Sequence, residues 1–374
     1  MNIAFVNFIG TSKFGGGEKW MVSAATQLAV RGHKVIMIGK AGSKFLDHAA
    51  KNNLSSLGIN TWQKATGLYL RTLAHKLLQL KIEILICNLN TDVRSAGLLA
   101  KMKGTPIILA RHGSLNYPKK RLRYRLSAHY ILDGIITNSQ MIKNIYAHYG
   151  WFNDHFVKVI HNGITIPEAV APYDFSIRFP GKKIIYSAGR LSEVKGFTYL
   201  IDAAAILKTY RNDLVFVVSG EGKLEMELKK QAIDAGLEES FIFTGFSADI
   251  FPALKGCDLF VLSSILEGMP NVVMEAMAMQ KPVVATNVNG VQELMVDGKT
   301  GIIVPPKEPH ALATAIAKII DNPDMLEDFG SAGYQRIKRE FTLSAMTGNL
   351  EAYLQQKLRE KENNNHETSK QENR

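Results

Sequence analysis

The chain has 374 residues and a formal net charge of +11, with 46% hydrophobic and 21% charged residues. At about 150 residues per domain the length accommodates two domains, each with ample core, which excludes disorder over most of the length, a collagen-like repeat and a disulfide scaffold. No run approaches the ~18 apolar residues of a bilayer span. The two cysteines, Cys87 and Cys257, lie far apart in apolar runs, as reduced core thiols do.

In chain order, the opening MNIAFVNF has no basic segment before its apolar residues. It reads as a first strand (3–8) rather than a signal peptide, so a cytosolic protein is expected. Three glycines, Gly15, Gly16 and Gly17, form a turn before a helix that starts near Glu18 and keeps its period over 19–31. Strands are expected at 34–38, 84–87, 107–110, 134–137 and 157–160, with a helix at 91–101. These apolar runs lack alternation, as parallel strands covered on both faces do. Residues 167–180, with three prolines and no period, read as the interdomain linker. The cycle then restarts with strands at 184–188, 214–219, 241–244, 259–262, 282–285 and 301–304, and a helix at 198–208. The pattern predicts an α/β chain of two Rossmann-like, doubly wound parallel-sheet domains, 1–170 and 171–340, facing across a cleft. A ligand is expected at the carboxyl ends of the strands. Residues 341–355 are expected to form a helix packing back toward the first domain, and the polar stretch 356–374 a disordered tail.

Charge is unevenly placed. Residues 1–175 carry 22 Lys and Arg against 8 Asp and Glu, whereas 176–374 carry 23 against 26. The stretch 93–132 has nine basic residues and no acidic one, among them Lys119, Lys120, Arg121, Arg123 and Arg125. A patch this one-sided is either a solvated helix face or a surface for an anionic partner.

The loops carry the chemistry. Glycines ahead of a helix let backbone amides approach a phosphate, although a plain tight turn looks the same in sequence. A P-loop at 298–300 is rejected because the glycine it requires is Glu293, and there is no Asp-x-Asp and no His/Cys cluster with metal spacing. After the strand ending at Ala188, Arg190 and Lys195 suit a diphosphate clamp, or equally a surface ion pair. Gly220 lies in the turn SGEG after the next strand. The strongest signal is SILEGMPNVVMEAMA at 264–278, with EGMPNVVMEA at its centre. Pro270 marks a helix start, which places Glu267 and the Gly268 and Met269 amides in the preceding loop. Glu275 falls one turn into the helix, where a carboxylate can accept from two adjacent ribose hydroxyls or serve as a satisfied structural group.

These stretches, together with GGGE, ARHGS, Asn138–Ser139, IHNGI at 160–164, GRLSEVKG at 189–196 and NGVQELMVDGKTGIIVPP at 289–306, resemble a family 4 (group 1) retaining glycosyltransferase of the GT-B fold over residues 1 to about 355. The resemblance implies a metal-independent hexosyltransferase with no cofactor besides its UDP- or GDP-linked donor. The acceptor would be a glycan or lipid-linked chain of bacterial surface polysaccharide or lipopolysaccharide. It gives the Gly16 amide to the donor, Arg190 and Lys195 to the leaving diphosphate, Glu275 to the ribose, and Glu267 with the Gly268 and Met269 amides to the donor sugar. His112 would lie beside the reacting sugar, unless it is a loop histidine with one backbone bond. The Asn289–Gly290 pair departs from the two glycines of many relatives and is expected to matter little for catalysis. The basic patch suggests peripheral contact with an anionic inner membrane face. Other readings are a sugar-nucleotide epimerase or another enzyme of the same fold, and a non-catalytic nucleotide-sugar sensor. A nucleic-acid binder is disfavoured, because only Tyr117, Tyr124 and Tyr130 interleave the basic run.

Overall fold

Seven strands, β1 (Asn2–Asn7), β2 (Lys34–Lys40), β3 (Ser55–Ile59), β4 (Ile84–Cys87), β5 (Ile107–His112), β6 (Gly134–Thr137) and β7 (Val157–Val159), pair in parallel in the order β3-β2-β1-β4-β5-β6-β7. The computed structural model describes residues 1–12, 14–60, 68–105, 107–113 and 122–372, with the side chains of 68–70, 123 and 364–372 outside the description. The central strands each feed two cores. Ile3 and Phe5 of β1 enter one buried cluster while Ala4 and Val6 enter the other. That division is what a continuous apolar run means in a parallel sheet, because successive side chains leave on opposite faces. β3 is absent from the expected strands. Its sequence SSLGI has too little apolar content to mark it, and register against Ile36–Lys40 of β2 forms it instead.

The helix Gly16–Val30 buries Trp20, Met21, Ala24, Ala25 and Leu28 on this sheet. It starts two residues before the expected position. The last helix, Leu343–Glu372, returns to the same unit, burying Met346, Leu350, Tyr353 and Leu354 with Ile3 and Phe5. Arg31 and His33 hold it through Glu351 at 2.8 and 2.7 Å. Instead of stopping near 355 and giving way to a disordered tail, it continues, with Leu358 packed on the core and Gln356 and Lys357 bonded to Glu360. The run LREKE at 358–362 consists of strong helix formers, which carries the helix past its expected end.

The second unit is a six-stranded parallel sheet. Its strands β8 (Lys183–Ala188), β9 (Leu214–Ser219), β10 (Phe241–Gly245), β11 (Leu259–Leu262), β12 (Val283–Thr286) and β13 (Gly301–Val304) lie in the order β10-β9-β8-β11-β12-β13. Ile184, Tyr186 and Phe260 face one core; Ile185, Leu259 and Val261 face the other. Cys87 and Cys257 are buried free thiols, and burial pushes that of Cys257 up to about 12.

The chain divides into residues 1–163 with 343–374, and residues 164–342. The first boundary thus lies seven residues before the expected 170, and residues 167–180 are not a free linker. Ile164 bonds to Phe341, Tyr173 bonds to Pro252, and Phe175 is buried in the second unit's core. Among the described residues no helix is long and apolar enough to cross a membrane.

Candidate active site

Both sheets reverse direction of strand order at one point, between β1 and β4 in the first and between β8 and β11 in the second. Loops diverge there at the carboxyl ends, leaving a crevice in which α/β sheets bind ligands. Several of the residues singled out in the sequence lie in loops at these two points.

In the second unit, β8 ends at Ala188 and the chain turns through Gly189 and Arg190. Arg190 is exposed, with no carboxylate partner among the described residues. Lys195 ends the short turn Glu193–Lys195 and is held from two sides. Its Nζ lies 2.6 Å from Glu267 Oε1, and its carbonyl accepts from Ser263 Oγ at 3.0 Å. Gly196 then adopts φ +61, where a Cβ would collide with the Ser263 carbonyl. Only glycine allows the Lys195 turn to lie this close to the end of β11. A Cβ on Gly220 would likewise strike the Gly189 carbonyl, so the β9 turn sits directly against the β8 loop.

Glu267 is the hub. Its Oε1 accepts from Lys195 and, at 2.7 Å, from Ser264 Oγ, and its carbonyl accepts from Asn289 Nδ2 at 3.2 Å. Neither of these side-chain bonds uses Oε2. Thr286 Oγ1 fixes the Ser264 carbonyl at 2.5 Å. Gly268 and the buried Met269 follow, and Pro270 caps the helix Asn271–Ala278. Glu275 sits half-buried one turn in, close enough to add to the upward pKa shift, to about 12, that burial imposes on Tyr186.

In the first unit the site is built from buried polar groups. Gly15 is the N-cap and Gly16 the first residue of the helix Gly16–Val30. Glu18 is buried, its Oε1 accepting from Asn7 Nδ2 and Asn88 Nδ2, both at 3.0 Å, and its Oε2 from the Gly15 amide at 2.8 Å. Asp92 accepts from the amides of Phe8 and Leu89, tying the loops after β1 and β4 together. Arg111 is buried over the Trp20 ring at 4.9 Å.

His112, expected in a loop, is instead the last residue of β5, buried, with Nδ1 2.5 Å from the Tyr146 hydroxyl. Burial, and to a smaller extent Arg111, lower its pKa to about 3, so the imidazole is neutral at physiological pH. Asn138 donates to the Gly113 carbonyl at 3.4 Å and Ser139 caps the helix Gln140–Tyr149, which gives that motif a structural role.

The structure thus joins Lys195 to Glu267 and leaves Arg190 apart from both. Of the basic patch, Lys119, Lys120 and Arg121 and the side chain of Arg123 lie outside the described residues; Arg125 is exposed. Sequence reasoning missed Asn7, Asn88, Arg111 and Tyr146, and gave no role to Ser264 or Asn289. A polar residue at or next to a strand's carboxyl end was the available signal for Asn7, Asn88 and Ser264. Asn289, expected to matter little, holds the Glu267 backbone. Among the described residues no three acidic, imidazole or thiol groups converge as a metal site would require.

Comparison with known proteins follows this division. A family model described as Glycosyltransferase Family 4 matches residues 14–166, and one described as Glycosyl transferases group 1 matches residues 173–336. The chain is 29% identical to the lipopolysaccharide core biosynthesis glycosyltransferase LpsE of Rhizobium meliloti, over 92% of this chain and 96% of that protein. It is 35% identical to the alpha-D-kanosaminyltransferase of Streptomyces kanamyceticus over 44% of this chain, a match spanning only 43% of that relative. Anabaena Alr3699/HepE, solved in complex with UDP, matches with a TM-score of 0.85 at 21% identity, covering 95% of this chain and 100% of that one. The apo lipopolysaccharide outer core galactosyltransferase WaaB gives 0.75 at 17% identity, covering 96% and 100%. At such identities the two structures establish the two-domain fold.

Proposed function

This chain belongs to the family 4, group 1 glycosyltransferases, and from that premise we propose that it moves a hexose-type sugar, with retention of configuration, from a UDP- or GDP-linked donor to a glycan or lipid-linked acceptor. The relatives named for lipopolysaccharide core synthesis, and a Campylobacter jejuni relative named for transfer to a diphospho-undecaprenol-linked sugar, support bacterial surface polysaccharide as the setting. The observation that carries the donor reading is the cationic end of β8: an exposed, carboxylate-free Arg190 in one loop with a Lys195 held rigidly by Glu267.

A guanidinium without a carboxylate partner offers its fork of donors to a diphosphate, and the charge it meets grows as the sugar–phosphate bond breaks. Lys195 adds a point charge, and the two together take the part a metal plays elsewhere, so no metal is required. Glu267 Oε2 accepts a sugar hydroxyl, Glu275 accepts from the ribose, and the Gly268 and Met269 amides and the Gly220 turn border the donor. The neutral imidazole of His112 contacts the reacting sugar without adding positive charge beside the anomeric carbon. The acceptor attacks from the face the diphosphate leaves, and a donor phosphate oxygen takes its proton. The residues position and neutralise; none forms a bond to the sugar.

The test is a thermal-shift and turnover panel of UDP-, GDP-, ADP- and CMP-sugars, run with and without a chelator. One nucleotide should stabilise the chain by about 2.7 kcal/mol at 100 times its dissociation constant, and Glu275→Ala should weaken it about tenfold through lost ribose bonds. An unchanged donor affinity in Glu275→Ala, or turnover lost to the chelator, defeats the assignment.

Membrane contact belongs to the same proposal, at the cytoplasmic face. The helix Leu122–Ile131 presents Leu122, Leu126 and Tyr130, 68%, 44% and 70% exposed and four residues apart, beside exposed Arg125. An apolar stripe flanked by basic residues suits an anionic leaflet, where each Lys or Arg contributes ~1 kcal/mol. Replacing Lys119, Lys120, Arg121, Arg123 and Arg125 with Gln should abolish co-sedimentation with anionic vesicles. Retained sedimentation removes this part of the reading.

A further inference from the structure

We propose that Glu18 is a positioning residue for sugar transfer: its buried carboxylate pins the glycine turn so that the Gly16 and Gly17 amides stay open to the donor. This rests on the sugar-transfer reading, which gives the Gly16 amide a donor contact but no role to the glutamate of the same GGGE stretch.

The first amides of a helix have no partner within it, and a Ser, Thr, Asp or Asn at the N-cap normally takes one of them. Here the N-cap is Gly15, which has no side chain to do so. Glu18, at the third helical position, is turned away from those amides. Its Oε2 accepts from the N-cap amide of Gly15, outside the helix, and its Oε1 from Asn7 at the end of β1 and Asn88 just past β4. One carboxylate therefore fixes three segments at the switch point of the sheet and consumes neither the Gly16 nor the Gly17 amide.

The glycines fit this division. A Cβ on Gly15 would lie 3.3 Å from Glu18 Oε2, and one on Gly17 would lie 3.3 Å from both Arg111 Nη1 and Asn88 Oδ1. These two glycines make room for the pinning network. A Cβ on Gly16 meets nothing within 4 Å, so its smallness serves no protein neighbour. All three groups donating to Glu18 are N–H donors. Only an acceptor on both oxygens satisfies them, and a glutamine in that place sets an NH2 group against at least one donor.

The experiment compares the parent, Glu18→Gln, Asn88→Asp and the double variant in the full chain. In the double variant the introduced amide NH2 at position 18 donates to the introduced carboxylate at position 88, and the amide oxygen still accepts from Gly15. The Asn7 amide keeps its orientation, because its Oδ1 accepts from the Ile9 amide at 3.2 Å, so the bonds to positions 15 and 88 re-form and the one to Asn7 does not. Glu18→Gln should lower kcat about tenfold or more, leave nucleoside diphosphate affinity within about twofold because Arg190, Lys195 and Glu275 are untouched, and speed amide exchange in residues 14–20. The double variant should recover part of kcat and of the exchange protection. A Glu18→Gln kcat equal to the parent's, or a double variant that recovers neither quantity, overturns the proposal. If Glu18→Gln does not fold, the double variant against Asn88→Asp decides it. Should the parent transfer no sugar from any donor, the sugar-transfer reading fails. Amide exchange over 14–20 then still decides whether Glu18 holds the turn.

Discussion

The two switch points solve the same problem with opposite materials. At the first, between β1 and β4, the groups are buried and already bonded: Glu18 has three donors and Asp92 two, and at the end of the next strand, β5, His112 is uncharged with its Nδ1 against Tyr146. At the second, between β8 and β11, the key charge is in water. Arg190 is exposed, while Lys195 and Glu267 keep 22% and 12% side-chain exposure. A buried polar network fixes shape, because any change of geometry leaves an unpaired group in a low dielectric. An exposed cation keeps its field for a ligand and costs the fold little. The first set of loops is suited to orientation and the second to charge.

That contrast can be broken from either side. The largest effect is expected at Arg190. Replacing it with Ala should lower turnover about 100-fold or more while weakening the donor less, since charge on the diphosphate increases only as the bond breaks. The melting temperature should stay the same, because no carboxylate partner is lost. Steady-state kinetics beside a melting curve checks this; equal turnover in variant and parent would remove Arg190 from the charged set.

A smaller effect sharpens the other side. Gly16→Ala meets no protein neighbour within 4 Å and lies at the first helical position without a positive φ. Alanine is favoured there by about 0.5–1 kcal/mol, so stability should hold or rise slightly. Turnover should nonetheless fall, about tenfold, because the added methyl stands where the donor approaches the amide. If both stability and turnover are unaffected, the open space at Gly16 has no ligand to receive.

Much of this was readable in order. The runs at 84–87, 214–219, 259–262 and 301–304 coincide with β4, β9, β11 and β13 because a doubly covered strand needs uninterrupted apolar residues, and such short runs between turn residues suit little else in a globular chain. The edge strand β3 was invisible for the complementary reason: half-exposed, it is built by pairing rather than by composition. Arg190 and Glu267 stood out as candidates because a Gly-Arg pair directly after β8, or a Glu-Gly pair in the loop between β11 and the next helix, is seldom there for packing alone. Asn7 and Asn88 did not, since each is an ordinary polar residue until β1 and β4 bring them to one carboxylate.

By itself, then, the amino-acid order determined the two parallel sheets and the loops that bear the chemistry, because periodicity and turn glycines act over a few residues. Which side chains meet was decided only in three dimensions. Lys195 finds Glu267 across 72 positions, Asn88 finds Glu18 across 70, and Glu351 comes back to His33 across 318. Contacts of that span depend on strand order and on the exact register in which the last helix docks, and neither leaves a local mark in the sequence; only the return of that helix to the first domain was expected.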